Sequence, residues 1–316
     1  MKDSRNAEVG EYMKCDPAIA KIRSSISNYE QKFEHIDQNQ YTLKRERSIG
    51  EANIICAGQI QYDEKLSEIA DFQDMFNFRG SFKPAKKCFE GADLAVAAFT
   101  SLAADVYPPT ELMNNEYSDS PYFKNARSEY LDAVKYGGFH CLAMSCPSNA
   151  YGGVTGILST VENVAKKGLL CSGIGYDKNI LIDINGIKTA ILSYTVNCNC
   201  MKDYFTEKGI ESLLNVFNEE RVENDVEQLR SQGADFILAY LNCETEQMMS
   251  IEQRKALGMK LADAGCDYVV CSIPDELSTY FRYTSKRGRS VPIATGLGTY
   301  MSGHIDSDKM CIRDRS

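Results

Sequence analysis

The chain has 316 residues, 43% of them hydrophobic, and a net charge of −9 with a pI of about 5.1. That length buries a substantial core, and the acidic balance excludes a surface built for nucleic acid or anionic membranes. No apolar stretch reaches membrane-spanning length, and the opening MKDSRNAEVGEYMK lacks the apolar segment of a secretory signal, so a cytoplasmic location is expected.

There are twelve cysteines and no CxxC pair. Cys56, Cys141, Cys171 and Cys271 sit in apolar, strand-like runs, which reads as buried and reduced thiols. Cys198-x-Cys200 has no second pair nearby and is a weak metal cue.

In chain order, Asp16-Pro17 opens a helix. Ile19, Ile22, Ile26, Tyr29, Phe33 and Ile36 then alternate at three and four residues, a heptad seam. The helix either lies on its own domain or pairs with a partner chain to make an oligomer. Residues 1–48 are read as this helical extension. Asn53–Ala57 is the first core strand, followed by Gly58, Gln59 and a helix from about Asp63. Lys83–Gly91 is a short helix and Asp93–Phe99 a strand. Ser120-Pro121 predicts a helix running to about Tyr136, and Phe139–Met144 a strand. Gly153-x-x-Gly156 and Thr160 lie on a helix with Val154, Ile157, Leu158, Val161 and Val164 inward.

Leu169–Gly175 is a strand and turn. Its Gly173-Ile174-Gly175 is followed by a hairpin, Ile180–Ile184 and Ile187–Tyr194 around Asn185-Gly186, which excludes a dinucleotide fingerprint. Gly209–Gly233 reads as an amphipathic helix. Phe236–Leu241 is a strand buried on both faces, with Asn242, Glu244 and Glu246 at its carboxyl end. Ser250 and Gln253 form a capping box for a helix that ends at Gly265. Tyr268–Cys271 is the next strand, with Ser272, Pro274, Asp275 and Glu276 beyond it. Parallel strands place both loops on one rim, where α/β folds hold their sites. Pro292–Tyr300 is the last strand and turn. The tail Met310–Ser316, MCIRDRS, resembles a translated sequencing-adapter end, so residues 309–316 are set apart from the α/β domain of 49–308.

Six blocks between Asn53 and Ser302 resemble, in order, the CapA or poly-γ-glutamate synthesis family, which is related to the metallophosphoesterases. They are Gly58-Gln59, Ala92-Asp93-Leu94, the segment Ala143–Gly156, the Asn242–Gln253 stretch, Ala264–Asp267, and Leu297-Gly298-Thr299-Tyr300. The resemblance implies a layered helix–sheet–sheet–helix α/β domain. In the family, this rim carries metal ligands in motifs written GD, NLE, ANNHxxDxG, HWGxE and HPH. Here Gln59, Ala98, Cys146, Asn242, Ile273 and Asp275 stand at those positions, Glu246 matches the motif glutamate, and threonine replaces asparagine at Thr299. None of the three histidines, His35, His140 and His304, occupies a ligand position. A dinuclear centre requires several anionic or imidazole donors, so no metal, cofactor or catalytic residue is assigned.

The expectation is a vestigial polar pocket of Gln59, Cys146, Asn149, Asn242, Glu246, Asp275 and Thr299. It would serve a binding or scaffold module for a small polar ligand or a protein partner. The alternative is a divergent hydrolase of a phosphate ester or glutamyl polymer acting through Asn242, Glu246 and Asp275. A His140–Cys146 thiol nucleophile is the weaker idea, since a buried histidine beside a structural cysteine is the ordinary case.

Overall fold

The computed structural model describes residues 42–43, 50–72, 75–113, 123–196, 212–245 and 248–303. The seam from Ile19 to Ile36, the Cys198-x-Cys200 pair, Glu246 and the tail from residue 304 onward lie outside the described residues. In chain order the elements are β1 (Thr42–Leu43), β2 (Ile54–Ile60), α1 (Glu64–Ala70), β3 (Asp71–Phe72), β4 (Met75–Phe76), α2 (Arg79–Phe82), α3 (Lys86–Phe89) and β5 (Leu94–Phe99). There follow α4 (Ser128–Tyr136), β6 (Cys141–Ala143), α5 (Pro147–Tyr151), α6 (Gly153–Lys166), β7 (Leu170–Ser172), β8 (Ile180–Ile184) and β9 (Ile187–Thr195). The last are α7 (Glu219–Ser231), β10 (Phe236–Asn242), α8 (Ile251–Ala264), β11 (Tyr268–Ser272), β12 (Tyr280–Thr284), β13 (Ser290–Ala294) and β14 (Thr299–Met301). One sheet runs β1-β8-β9-β10-β11-β13-β12, the other β14-β2-β5-β6-β7, and β3-β4 is a separate short pair.

The larger sheet is built on β10, which lies parallel to β9 and β11. Its unbroken apolar run is used on both faces. Ile237, Ala239 and Leu241 pack under Val222, Val226 and Leu229 of α7 and Leu261 and Ala262 of α8. Leu238 and Tyr240 face the other sheet and meet Leu94, Val96 and Ala98 of β5. Each fully buried Val, Leu or Ile among them stabilises the fold by about 1.5–3 kcal/mol. The outer face of the smaller sheet is covered by an aromatic cluster in which Tyr130 of α4 contacts Tyr62, Phe78, Phe82 and Phe99. The layers are therefore helix, sheet, sheet, helix.

A device recurs at the amino ends of the parallel strands. The residue just before a strand lends a side-chain acceptor to a backbone amide at the start of the neighbouring strand. Asp93, before β5, accepts from Asn53 N (2.7 Å). His140 Nδ1, before β6, accepts from Ala95 N (3.0 Å). Asp235, before β10, accepts from Lys188 N (2.9 Å), and Asp267, before β11, from Ile237 N (2.8 Å). The first amides of a parallel strand lack a ladder partner on one side, and a short polar side chain supplies one. This explains why the Ala92-Asp93 and Cys266-Asp267 pairs precede strands. It also gives His140 a structural task.

Several expectations are corrected. The helix placed from Ser120 begins at Ser128; Ser120 and Pro121 lie outside the described residues. Asn125 is instead extended, bridges Leu102, and binds the backbone of Ala104, Tyr107 and Pro108. That side-chain network competes with helix. The helix expected over Gly209–Gly233 is interrupted: Ser212 and Leu213 are helical, Leu214 and Val216 then bridge to Ile174 and Thr195, and α7 starts at Glu219, capped by Asn218. Pro292–Tyr300 divides into β13 and β14 on different sheets, with Gly298 at φ +65 in the turn between. Strand β12 is not among the expected elements, although its aromatic and β-branched run Tyr280–Thr284, followed by a Gly-containing turn, carries a strand's composition. The hairpin turns at Asn185 (φ 54) and Gly186 (φ 87), as its Asn-Gly pair requires.

Candidate functional site

The carboxyl ends of β2, β5, β10 and β11 meet at one rim, and β14 joins them from the side. Gly58 is what lets β14 come close. A Cβ there would lie 2.0 Å from Gly298 O. The register of β2 slips between Ala57 and Gln59, a bulge that re-aims the residue after it. Gln59 N then donates to Gly298 O (2.9 Å), and Gln59 pairs with Thr299.

The side chains at the rim bind one another. Gln59 Nε2 donates to Glu244 Oε1 (2.9 Å), and Gln61 Nε2 donates to Gln59 Oε1 (2.7 Å). Asn242 Oδ1 accepts from Glu244 N (3.2 Å). Thr299 Oγ1 accepts from Asp275 N (3.0 Å) and donates to Asp275 Oδ1 (2.9 Å). Asp275 holds a left-handed backbone, φ 55, in a loop fixed on its far side by Glu276. The fully buried Arg254 of α8 reaches Glu276 Oε1 through Nη2 (2.5 Å). Its position in the first turn of α8 follows from the Ser250–Gln253 capping box, in which both reciprocal bonds form.

Glu244 is the electrostatic centre of this group. Burial pushes its carboxyl pKa up; the hydrogen bond from Gln59, the charge of Lys124 and the neighbouring Asn242 amide oppose the rise, and Asp275 adds to it. The sequence reading placed the motif carboxylate at Glu246, which lies outside the described residues, and left Glu244 out of the pocket. The signal was present. In a strand ending at Asn242, the residue two positions on returns to the same side.

Of the anticipated residues, the structure gathers Gln59, Asn242, Asp275 and Thr299. Cys146 and Asn149 are fully buried at the carboxyl ends of β5 and β6. There they serve the backbone: Cys146 Sγ lies 3.9 Å from Phe99 O, and Asn149 Nδ2 donates to Met144 O. His140 and Cys146 lie beyond opposite ends of β6, so they form no nucleophile–base pair.

A dinuclear centre needs converging anionic or imidazole donors. Among the described residues no three His, Cys, Asp or Glu side chains gather as a metal-binding set. The oxygens of Gln59 and Asn242 are already engaged by amide donors. The described donor set therefore does not fit such a centre.

The model of the family described as bacterial capsule synthesis protein PGA_cap matches residues 53–304. The chain belongs to this family. The PGA_cap match starts one residue before β2 and runs past β14, so it takes in the whole rim and every strand of both main sheets but β1. No curated protein matches the chain significantly. Among the described residues of this PGA_cap domain, no helix is long and apolar enough to cross a membrane.

Proposed function

We propose that this PGA_cap domain binds a ligand or partner of capsule-type polymer synthesis at its rim and does not carry out metal-dependent hydrolysis. The observation that carries the reading is the Gln59–Glu244 hydrogen bond. It ties Glu244, a half-buried rim carboxylate, to a neutral amide, with Gln61 and Asn242 completing the chain. Neutral amides and hydroxyls beside two carboxylates suit a small polar, hydrogen-bonding ligand better than a pair of divalent cations. The described cysteines are free thiols, which fits work in a reducing compartment such as the cytoplasm.

The test is elemental analysis of the purified chain beside assays on phosphomonoesters, phosphodiesters and glutamyl polymers. The expected result is no stoichiometric manganese, zinc or iron, and turnover at background. Two tightly held metal ions per chain would overturn the reading.

A second reading keeps hydrolysis through acid–base chemistry. It is favoured by the raised pKa of Glu244, since a buried carboxyl held above the ordinary carboxylate range can keep its proton and serve as a general acid. Metal-independent turnover that falls with both Glu244→Gln and Asp275→Asn would establish it in place of the first.

A further inference from the structure

A cavity lies at the opposite end of the sandwich from the rim, and nothing in the polar reading uses it. It holds about 420 Å³ and is lined chiefly by Ile54 and Cys56 of β2, Phe236 of β10, Tyr268 of β11, Ile187 of β9 and Leu297. These strand residues come from the amino halves of their strands, and Leu297 closes the cavity from the β14 side.

The origin of the cavity is topological. Strand β14 has three residues and pairs with β2 at Gln59 and Ile60. Beside Ile54 and Cys56 the smaller sheet therefore gains no further strand from β14. The facing residues of the larger sheet are left without a full cover. Ala52, Ile54, Cys56, Phe236, Tyr268 and Leu297 all pack against the inter-sheet core yet remain only partly buried. A well-packed interior leaves few voids larger than a water molecule, and this space is far larger.

Chemistry narrows the occupant. None of the lining side chains is acidic or basic. Burial holds the Cys56 thiol and the Tyr268 phenol protonated, their pKa values pushed up to about 12. An ion entering the cavity would be desolvated without a counter-charge. At roughly 30 Å³ for each water-sized group, the space takes about a dozen such groups. That is the scale of a small molecule, and it falls within the roughly 300–1,000 Å³ range of ligand pockets lined by apolar and aromatic side chains with few polar groups. Of the polar lining side chains, Asn53 Nδ2 donates to Gly91 O (3.2 Å) and the Thr189 hydroxyl to Ile187 O, so the Tyr268 hydroxyl and Asn53 Oδ1 are the groups that can orient a ligand.

We propose that the cavity between the amino ends of β2, β9, β10 and β11 is a binding site for a neutral, hydrocarbon-rich small molecule carrying one hydrogen-bonding group. The site is independent of the rim, so either can fail without the other.

The chain contains no tryptophan, so added indole can be followed by exciting at the red edge of its absorption, where the 18 tyrosines absorb little. Indole is neutral, flat and carries one N–H donor. Titrated with the full chain, it is expected to show a saturable blue shift and a rise in anisotropy at one site per chain. Ile54→Phe, which fills the cavity, is expected to weaken binding at least tenfold. If that variant does not give a cooperative melt, Cys56→Met serves as the second filling variant. Indole should also slow methylthiolation of Cys56 by a neutral reagent, read by peptide mass mapping. Emission identical to free indole at all protein concentrations overturns the proposal. So does equal binding by a folded filling variant.

Discussion

At the scale of single residues, the rim is decided by Glu244. Its carboxyl is held above the ordinary carboxylate pKa by burial, so the folded chain binds that proton more tightly than the unfolded chain does. Stability linked to this group is therefore complete below the unfolded pKa and falls as pH rises through the raised one. Glu244→Gln keeps an acceptor for Gln59 and removes the titration. Its stability is expected to fall less than wild type between acidic and neutral pH, measured by urea denaturation at several pH values. Parallel pH profiles for the two proteins would show that Glu244 does not titrate differently in the fold.

At the scale of elements, the side chains that precede strands do much of the joining. Asp267 is the most heavily used. It accepts from Ile237 N and pairs with Arg230 (2.6 Å) and Arg289 (2.6 Å), with its own side chain 5% exposed. It thereby fastens α7, β10, β11 and the turn before β13. Removing its carboxylate leaves the buried Ile237 amide without that acceptor, at a cost of about 1–3 kcal/mol, while Arg230 and Arg289, 25% and 52% exposed, turn to water. Asp267→Ala is expected to lose that much in a denaturant titration. A loss below about 1 kcal/mol would mean that these contacts behave as exposed ion pairs. Asp93, Asp235 and His140 make single bonds of the same kind, so their removal should cost less.

At the scale of the whole molecule, the two sheets are held in register by more than apolar packing. Tyr240 reaches across from β10, and its hydroxyl lies within hydrogen-bond distance of both Ala57 O (3.1 Å) and Val96 O (3.0 Å). The Gln59–Glu244 bond makes a second polar link between the two halves at the rim. Tyr240→Phe keeps the ring and removes the donor. It should lower stability by about 1–2 kcal/mol without altering the denaturant slope, because the same surface is exposed on unfolding. An unchanged midpoint would show that the packed ring alone holds the sheets.

The amino-acid sequence by itself determined the features whose causes are local. The Ser250–Gln253 box, the Asn185-Gly186 turn, the helix stop at Gly265 and the doubly buried run of β10 each depend on neighbours within a few positions. The ordered motif blocks carried the family and, with it, the layered fold. Tertiary structure decided what depends on distant partners. Residues 290–301 divide between two sheets because β11 and β2 each claim one part as a parallel neighbour, and no local period records that choice. Val216 is held out of α7 by a bridge to Thr195. Glu244 took the central place at the rim because the bulge at Gly58 turns Gln59 towards it, a contact across 185 positions of chain. Hydrophobic periodicity shows which face of an element is buried; only the packed sheets show what that face meets.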